Sequence, residues 1–236
     1  MEIFLSGSNG FVGKSIIKKF KNFDFNNIDR NKIFIKKNSD IVIHLAGISH
    51  DLSNKYSESD YIEGNYLLTK KIYNEFVKSN SKKFIFFSSS KVYGSSGNFD
   101  ENSVVNPDTY YSKTKIMAEK FLMKKALTDK TNVIILRPSL IYSKSQKNKG
   151  NLYLLKKIAE KLPIIFFPNF GKDRSYCSIE NIFGLIKFII KNEIPTGIYN
   201  ISDSFTVKTS DLIRHFSGNK LCIFINYYFS AFIVSL

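Results

Sequence analysis

Residues 2–13 read Glu2-Ile3-Phe4-Leu5-Ser6-Gly7-Ser8-Asn9-Gly10-Phe11-Val12-Gly13, and they decide the fold. An apolar run meets the first of three glycines, so residues 2–6 read as a buried strand ending in a sharp turn. Helical periodicity then runs over residues 11–20. Glycines let a backbone turn tightly and come close to another group. A helix opening on such a turn presents unpaired N–H groups and partial positive charge to an anion. Strand, glycine turn and helix in this order are the context that holds a dinucleotide pyrophosphate. Gly7, Asn9, Gly10, Phe11, Val12 and Gly13 are the candidate contacts.

Beyond the turn, strands are expected at residues 33–35 (a weak signal), 41–45, 84–88, 133–136 and 197–201. Helices are expected at 58–79, 109–128, 152–161, 180–191 and 210–216. Strands alternating with helices make a parallel sheet covered on both faces. No internal repeat and no low-complexity linker interrupts the pattern.

The 236 residues suffice for one sizeable core, or for one domain and part of a second. A hydrophobic content of 43% is that of a globular protein. The formal net charge of +15 raises nucleic acid as a partner. The lysines are scattered in short groups such as Lys18-Lys19, Lys36-Lys37, Lys82-Lys83 and Lys124-Lys125. That is the pattern of solvated faces, and no nucleic-acid motif accompanies it. Cys177 and Cys222 form neither a disulfide framework nor a metal-ligand pattern, which points to a reducing compartment. The N-terminus opens on a strand, so no signal peptide is expected. Residues 221–236 are apolar and aromatic, with Phe224, Tyr227, Tyr228, Phe229 and Phe232, yet shorter than the ~20 residues of a spanning helix. The expected location is the cytoplasm, with no membrane span.

Tyr111-Ser112-Lys113-Thr114-Lys115 places a phenol and an ammonium four residues apart on one helix face. A free tyrosine, with a pKa of about 10, is a poor base at neutral pH. A neighbouring positive charge favours the phenolate and makes proton transfer feasible. The same spacing recurs at Tyr66/Lys70 and Tyr153/Lys157, which read as helix-surface coincidences. What selects Tyr111 is the upstream segment Phe87-Ser88-Ser89-Ser90-Lys91-Val92-Tyr93-Gly94. It ends a buried strand, where α/β folds place their ligands.

The Gly-x-x-Gly-x-x-Gly spacing, the serines before Val92-Tyr93-Gly94 and the Tyr111-x-x-x-Lys115 pair together resemble the extended short-chain dehydrogenase/reductase family, also called the NAD-dependent epimerase/dehydratase family. The likeness is to its nucleotide-sugar epimerase and reductase members and runs over residues 1–216. It implies an α/β, Rossmann-type doubly wound parallel sheet with a small, truncated C-terminal substrate-binding region. Residues 1–145 would form the NAD(P)-binding domain, with later elements returning to it, and residues 146–236 an incomplete substrate region. The resemblance gives the catalytic roles to Ser89, Tyr111 and Lys115, with Ser88 or Ser90 open in place of Ser89. Ile43-His44-Leu45-Ala46-Gly47 is similar to the family's strand end beside the cofactor, so Leu45, Ala46 and Gly47 join the cofactor contacts. Asn65 matches a position near the nicotinamide ribose. His44 by itself reads as a satisfied structural histidine. Asp29, in Asn27-Ile28-Asp29-Arg30, is the candidate ribose-binding acid, while Arg30 would favour a 2′-phosphate. NAD is therefore expected, with NADP open.

On the substrate side the resemblance implies Ser90, Asn151 and Arg174. Asn151 matches a position facing the diphosphate, and Arg174 would pair with the phosphates of a UDP- or dTDP-sugar, as a guanidinium fork suits phosphate oxygens. Leu136-Arg137-Pro138-Ser139 resembles the segment leading into the substrate region. Glu180-Asn181 departs from the family's acidic pair and reads as a helix-start cap. Ser90-Lys91 departs from the Asp-Glu pair of the dehydratases. The expectation is an NAD-dependent C4 epimerase of UDP-sugars acting through a 4-keto intermediate, without a metal. A 4-keto nucleotide-sugar reductase serving surface polysaccharide precursors is the rival on the same fold. The segment Leu45-Ala46-Gly47-Ile48-Ser49-His50 and the short connection after the first helix point to it. A catalytically inactive, truncated dinucleotide-binding protein is the rival of another class. A homodimer through the long helices is the expected assembly.

Overall fold

The structure is a computed structural model that describes residues 1–49, 55–94, 97–143, 151–162, 164–168 and 173–225. The elements begin with β1 (Glu2–Ser6), α1 (Phe11–Lys19), β2 (Asp24–Ile28), β3 (Ile41–His44) and α2 (Glu58–Tyr61). A π-helical stretch (Ile62–Leu67) leads into α3 (Leu68–Ser79), β4 (Lys83–Phe87), a 3₁₀ turn (Ser90–Tyr93), α4 (Tyr110–Asp129) and β5 (Asn132–Pro138). Then come β6 (Leu140–Tyr142), α5 (Asn151–Lys161), β7 (Ile164–Pro168), β8 (Asp173–Ser178) and α6 (Ile179–Lys191). β9 (Gly197–Ile201), β10 (Thr206–Lys208), α7 (Thr209–Ser217) and β11 (Leu221–Ile225) close the series. The chain divides into two compact units, Met1–Ser139 with Ile179–Ile201, and Leu140–Ser178 with Ser202–Leu236.

The first unit is built on a six-stranded sheet in the order β2-β1-β3-β4-β5-β9, parallel throughout. Unbroken apolar runs such as Ile41-Val42-Ile43 and Val133-Ile134-Ile135-Leu136 suit strands buried on both faces. On one face Phe4, Val42, Phe84, Phe86, Val133 and Ile135 pack with Leu68, Ile72, Tyr73 and Phe76 of α3 and Ala118, Leu122 and Ala126 of α4. Spacings of three and four residues put these helical side chains on one stripe facing the sheet. Phe20, after α1, meets Phe183 of α6 edge-on at 5.9 Å. Because β2 and β3 lie on opposite sides of β1, the strand order reverses between β1 and β3. In open α/β sheets such a reversal leaves a crevice beyond the C-terminal strand ends, where ligands bind.

One local expectation is corrected. Residues 33–35 are not a strand; the second strand is β2, paired with β1 from Glu2↔Asp24 to Ser6↔Ile28. Asp24-Phe25-Asn26-Asn27-Ile28 carries two asparagines and little apolar signal, so pairing with β1 decides it rather than local propensity. Ile33 and Ile35 instead turn their side chains into the core. The long helix expected at 58–79 forms, interrupted by the π-helical stretch.

The second unit holds a three-stranded sheet, β10-β8-β6, and the parallel pair β11-β7. Ala159 of α5 and Ile213 of α7 form its small core with Leu155, Phe216 and Cys222. His50, Lys149, Gly150, Tyr227, Tyr228, Phe229 and Phe232 lie outside the described residues. Among the described residues, no helix is long and apolar enough to cross a membrane.

Candidate active site

The glycine turn leaves β1 at the crevice. Gly7 has φ +78°, and a Cβ there would lie 2.7 Å from the Ala46 backbone nitrogen. A Cβ on Gly13 would overlap the Gly7 carbonyl oxygen. Gly10 N–H donates to that carbonyl at 3.0 Å and closes the turn. Asn9 and Gly10 are exposed, with Phe11 and Val12 half-buried behind them. No side chain caps the start of α1, and its first turn carries no acid. These N–H groups face the crevice as an anion site, so the residues present fit a dinucleotide pyrophosphate. Asp29 directly follows β2, beside the turn, with its carboxylate accepting the Asn31 N–H at 2.7 Å. Arg30 next to it is exposed.

Across the crevice, the loop after β3 is clamped by Asn65, which is 1% exposed and lies in the π-helical stretch. Such stretches interrupt helices and re-aim side chains, often at functional sites. Asn65 Oδ1 accepts from Ile48 N–H at 2.7 Å, and its Nδ2 donates to the Ile48 carbonyl at 3.2 Å. The same Nδ2 donates to Thr114 Oγ1 on α4 at 3.1 Å. A Cβ on Gly47 would lie 2.6 Å from Asn65 Oδ1 and 3.7 Å from Lys115 Nζ. Leu45, Ala46, Gly47, Asn65 and Lys115 are thus gathered on one side of the crevice.

Helix α4 begins with a capping box, Thr109 and Ser112 each bonding the other's backbone N–H. That fixes the first turn, which carries Tyr111. The Ser89 hydroxyl stands close enough to the Tyr111 phenol to bear on its titration. Burial pushes the phenol's pKa up, and the Ser89 contact opposes the shift. Ser89 caps the 3₁₀ turn, its hydroxyl oxygen accepting from Lys91 N–H at 3.2 Å. Lys115, one turn beyond Tyr111, is 5% exposed and donates to the Phe87 carbonyl at 2.8 Å. Its ammonium lies 4.7 Å from the Phe86 ring centre and 5.9 Å from that of Tyr111. Burial brings its pKa down to about 8, against the pull of Glu119. The three serines that sequence alone left open have different partners. Ser88 gives its hydroxyl to Glu119, Ser89 meets Tyr111, and Ser90 opens the 3₁₀ turn.

Glu119 and Arg137 were not among the sequence candidates for this site, and they underpin it. Glu119 is 2% and Arg137 4% exposed, paired through Nη2 at 2.5 Å and Nε at 3.1 and 3.2 Å. Arg137 also donates to the Tyr93 hydroxyl at 2.7 Å, which donates to Asn200 Oδ1 at 2.8 Å. The network joins the ends of β4, β5 and β9 to α4, beneath Ser89 and Lys115. The signal available in sequence was Glu119, four residues after Lys115 on the same stripe.

In the second unit, Arg174 lies exposed on β8, opposite Val207 of β10, and Asn151 opens α5. Glu180 lies in the first turn of α6 and pairs with Lys19 at 3.6 Å, a helix-start role. No group of three or more metal-ligating side chains occurs among the described residues.

Residues 8–202 match the family described as NAD dependent epimerase/dehydratase. A UDP-glucose 4-epimerase of Vibrio cholerae is 27% identical, covering 90% of this chain and 74% of that protein. A dTDP-D-glucose 4,6-dehydratase of Dictyostelium discoideum is 29% identical, covering 90% of this chain and 61% of the relative. A dTDP-4-dehydro-6-deoxyglucose reductase of Escherichia coli is 28% identical, covering 82% and 64% respectively. The chain thus spans less than two thirds of the length of the latter two. The fold is shared with a UDP-glucuronic acid 4-epimerase from Bacillus cereus solved with NAD, at TM-score 0.79 and 19% identity, over 96% of this chain and 86% of that one. It is shared also with RMD from Pseudomonas aeruginosa solved with NADPH, at TM-score 0.80 and 17% identity, over 95% and 87%.

Proposed function

Because the chain belongs to the NAD dependent epimerase/dehydratase family, we propose that it is a nucleotide-sugar C4 epimerase acting on UDP-sugars through a 4-keto intermediate. The observation that carries this reading is the grouping of Ser89, Tyr111 and Lys115 at the strand ends beside the crevice. Tyr111 takes the proton of the sugar C4 hydroxyl and later returns one. Ser89, which stands beside the Tyr111 phenol, holds the same sugar oxygen. Lys115 in its charged form favours the phenolate of Tyr111. NAD, when bound, supplies the acceptor and donor of hydride. The turn from Gly7 to Gly13 would hold its pyrophosphate and Asp29 a ribose, while Leu45, Ala46, Gly47, Asn65, Tyr111 and Lys115 would hold its nicotinamide half. Ser90, Asn151 and Arg174 are the substrate contacts proposed on the resemblance, Arg174 through its fork on the diphosphate. Two free cysteines, Cys177 and Cys222, accord with a cytoplasmic location.

Purified protein given UDP-glucose, UDP-galactose or their N-acetylamino counterparts should bring one pair to equilibrium, followed by the anomeric proton signals. Tyr111→Phe should slow this by ~10²-fold or more, the usual size of a general acid–base contribution. Unchanged turnover in Tyr111→Phe sinks the assignment. The exposed Arg30 beside Asp29 favours a second reading, an NADPH-dependent reductase of a 4-keto nucleotide sugar. Stoichiometric oxidation of NADPH by such a sugar, with no epimerisation of UDP-sugars, would select it.

A further inference from the structure

His44 ends β3 with 0% of its surface exposed and both ring nitrogens engaged. The Thr69 hydroxyl donates to the Asn65 carbonyl at 2.5 Å, so its oxygen is left to accept from His44 Nε2–H at 2.9 Å. Nδ1 then accepts the Ser6 hydroxyl at 2.6 Å, and the Ser6 oxygen accepts Ala46 N–H at 3.2 Å. The network sets the tautomer, because every hydrogen along Ala46, Ser6, His44, Thr69 and Asn65 has one acceptor. The chain ends on the backbone carbonyl of Asn65, a residue whose side-chain amide separately bonds Ile48 and Thr114. Around the imidazole stand Phe84 and Phe86, with ring centres at 6.2 and 5.4 Å. An apolar ring would fill this space without the desolvation cost of a polar one. What the imidazole adds is direction.

We propose that His44 is a positioning residue for the dinucleotide. Through Ser6 it holds Ala46 N–H against the Gly7 turn, and through Thr69 and Asn65 it holds the same loop to the helix carrying Tyr111 and Lys115. The proposal rests on reading the crevice as the dinucleotide site. It makes cofactor affinity, rather than fold stability alone, depend on a buried hydrogen-bond network whose members lie in β1, β3, the loop after β3, the π-helical stretch and α3.

The test is NADH titration of the full chain by fluorescence, well below the melting temperature, for wild type, His44→Phe, His44→Asn, Ser6→Ala, Thr69→Val and Phe84→Leu. His44→Phe should raise the NADH Kd by ~10-fold or more. His44→Asn keeps an acceptor for Ser6 and should recover part of that loss. Phe84→Leu loosens the same core, and the packing on the imidazole, without removing a hydrogen bond of the chain, and should lower the melting temperature at near wild-type Kd. If His44→Phe does not fold, Ser6→Ala and Thr69→Val carry the test, each expected to weaken binding by ~3-fold or more. Wild-type affinity in the folded variants overturns the proposal, as does an equal loss in Phe84→Leu. A folded wild type that binds neither NADH nor NADPH overturns the dinucleotide reading and this proposal together.

Discussion

Burial disfavours the charged form of both Tyr111 and Lys115, and each has one group that opposes it, Ser89 for the phenol and Glu119 for the ammonium. Lys115 is mainly charged below its pKa of about 8 and neutral above it. If its charge supports the phenolate, kcat/KM should fall as pH rises through that value, and Lys115→Arg should extend the plateau to higher pH. A wild-type profile flat to pH 9.5 would remove the charge from the mechanism. His44 is shifted in the same direction, and its consequence falls on stability. Burial holds its folded pKa well below 6.5, with Lys115 and Arg30 adding to the effect. The folded chain keeps His44 neutral while the unfolded chain protonates it, so stability is present above about pH 6.5 and lost as pH falls below it. The slope from this group is at most ~1.4 kcal/mol per pH unit. Urea midpoints at pH 7 and pH 5 should therefore converge in His44→Asn. At this scale the sequence pointed to Ser89, Tyr111 and Lys115, with Ser88 and Ser90 left open beside Ser89. Adjacent serines look alike until the strand end gives each hydroxyl its own direction.

Helix α4 carries Tyr111, Lys115 and Glu119 on one stripe, and only the first two stood out by their chemistry. A glutamate four residues on reads as a surface charge unless its partner is known, and Arg137 is distant in sequence. Breaking one member of a buried ion pair strands the other. Glu119→Gln should thus cost ~3–5 kcal/mol of stability. Adding Arg137→Met removes the stranded charge and should restore part of the loss, measurable by urea denaturation. A Glu119→Gln protein of wild-type stability would contradict the account of this network. Strand β2 was misplaced for a related reason, since an edge strand with two asparagines is made by its neighbour rather than by its own residues. The π-helical stretch that aims Asn65 has no sequence signature that periodicity detects.

At the scale of the molecule, the two units differ in how far their sequence could be read. The first unit is legible because β1, β3, β4 and β5 are unbroken apolar runs buried between layers. In the second unit β6 and β10 have three residues each, and β8 reads Asp173-Arg174-Ser175-Tyr176-Cys177-Ser178, largely polar and half exposed. Such strands depend on their pairing, so none of β6, β8 and β10 was expected; the apolar runs of β7 and β11 were not read as strands either. The central claim spans the whole chain, that it holds NAD through both halves of a C4 epimerisation. An epimerase must retain its cofactor while the keto intermediate forms and is reduced again. The most direct measurement is to purify the folded protein, denature it, and identify and count any dinucleotide released. Close to one NAD per chain is the result predicted here; a folded protein that releases none and takes up neither NADH nor NADPH when offered them would contradict it.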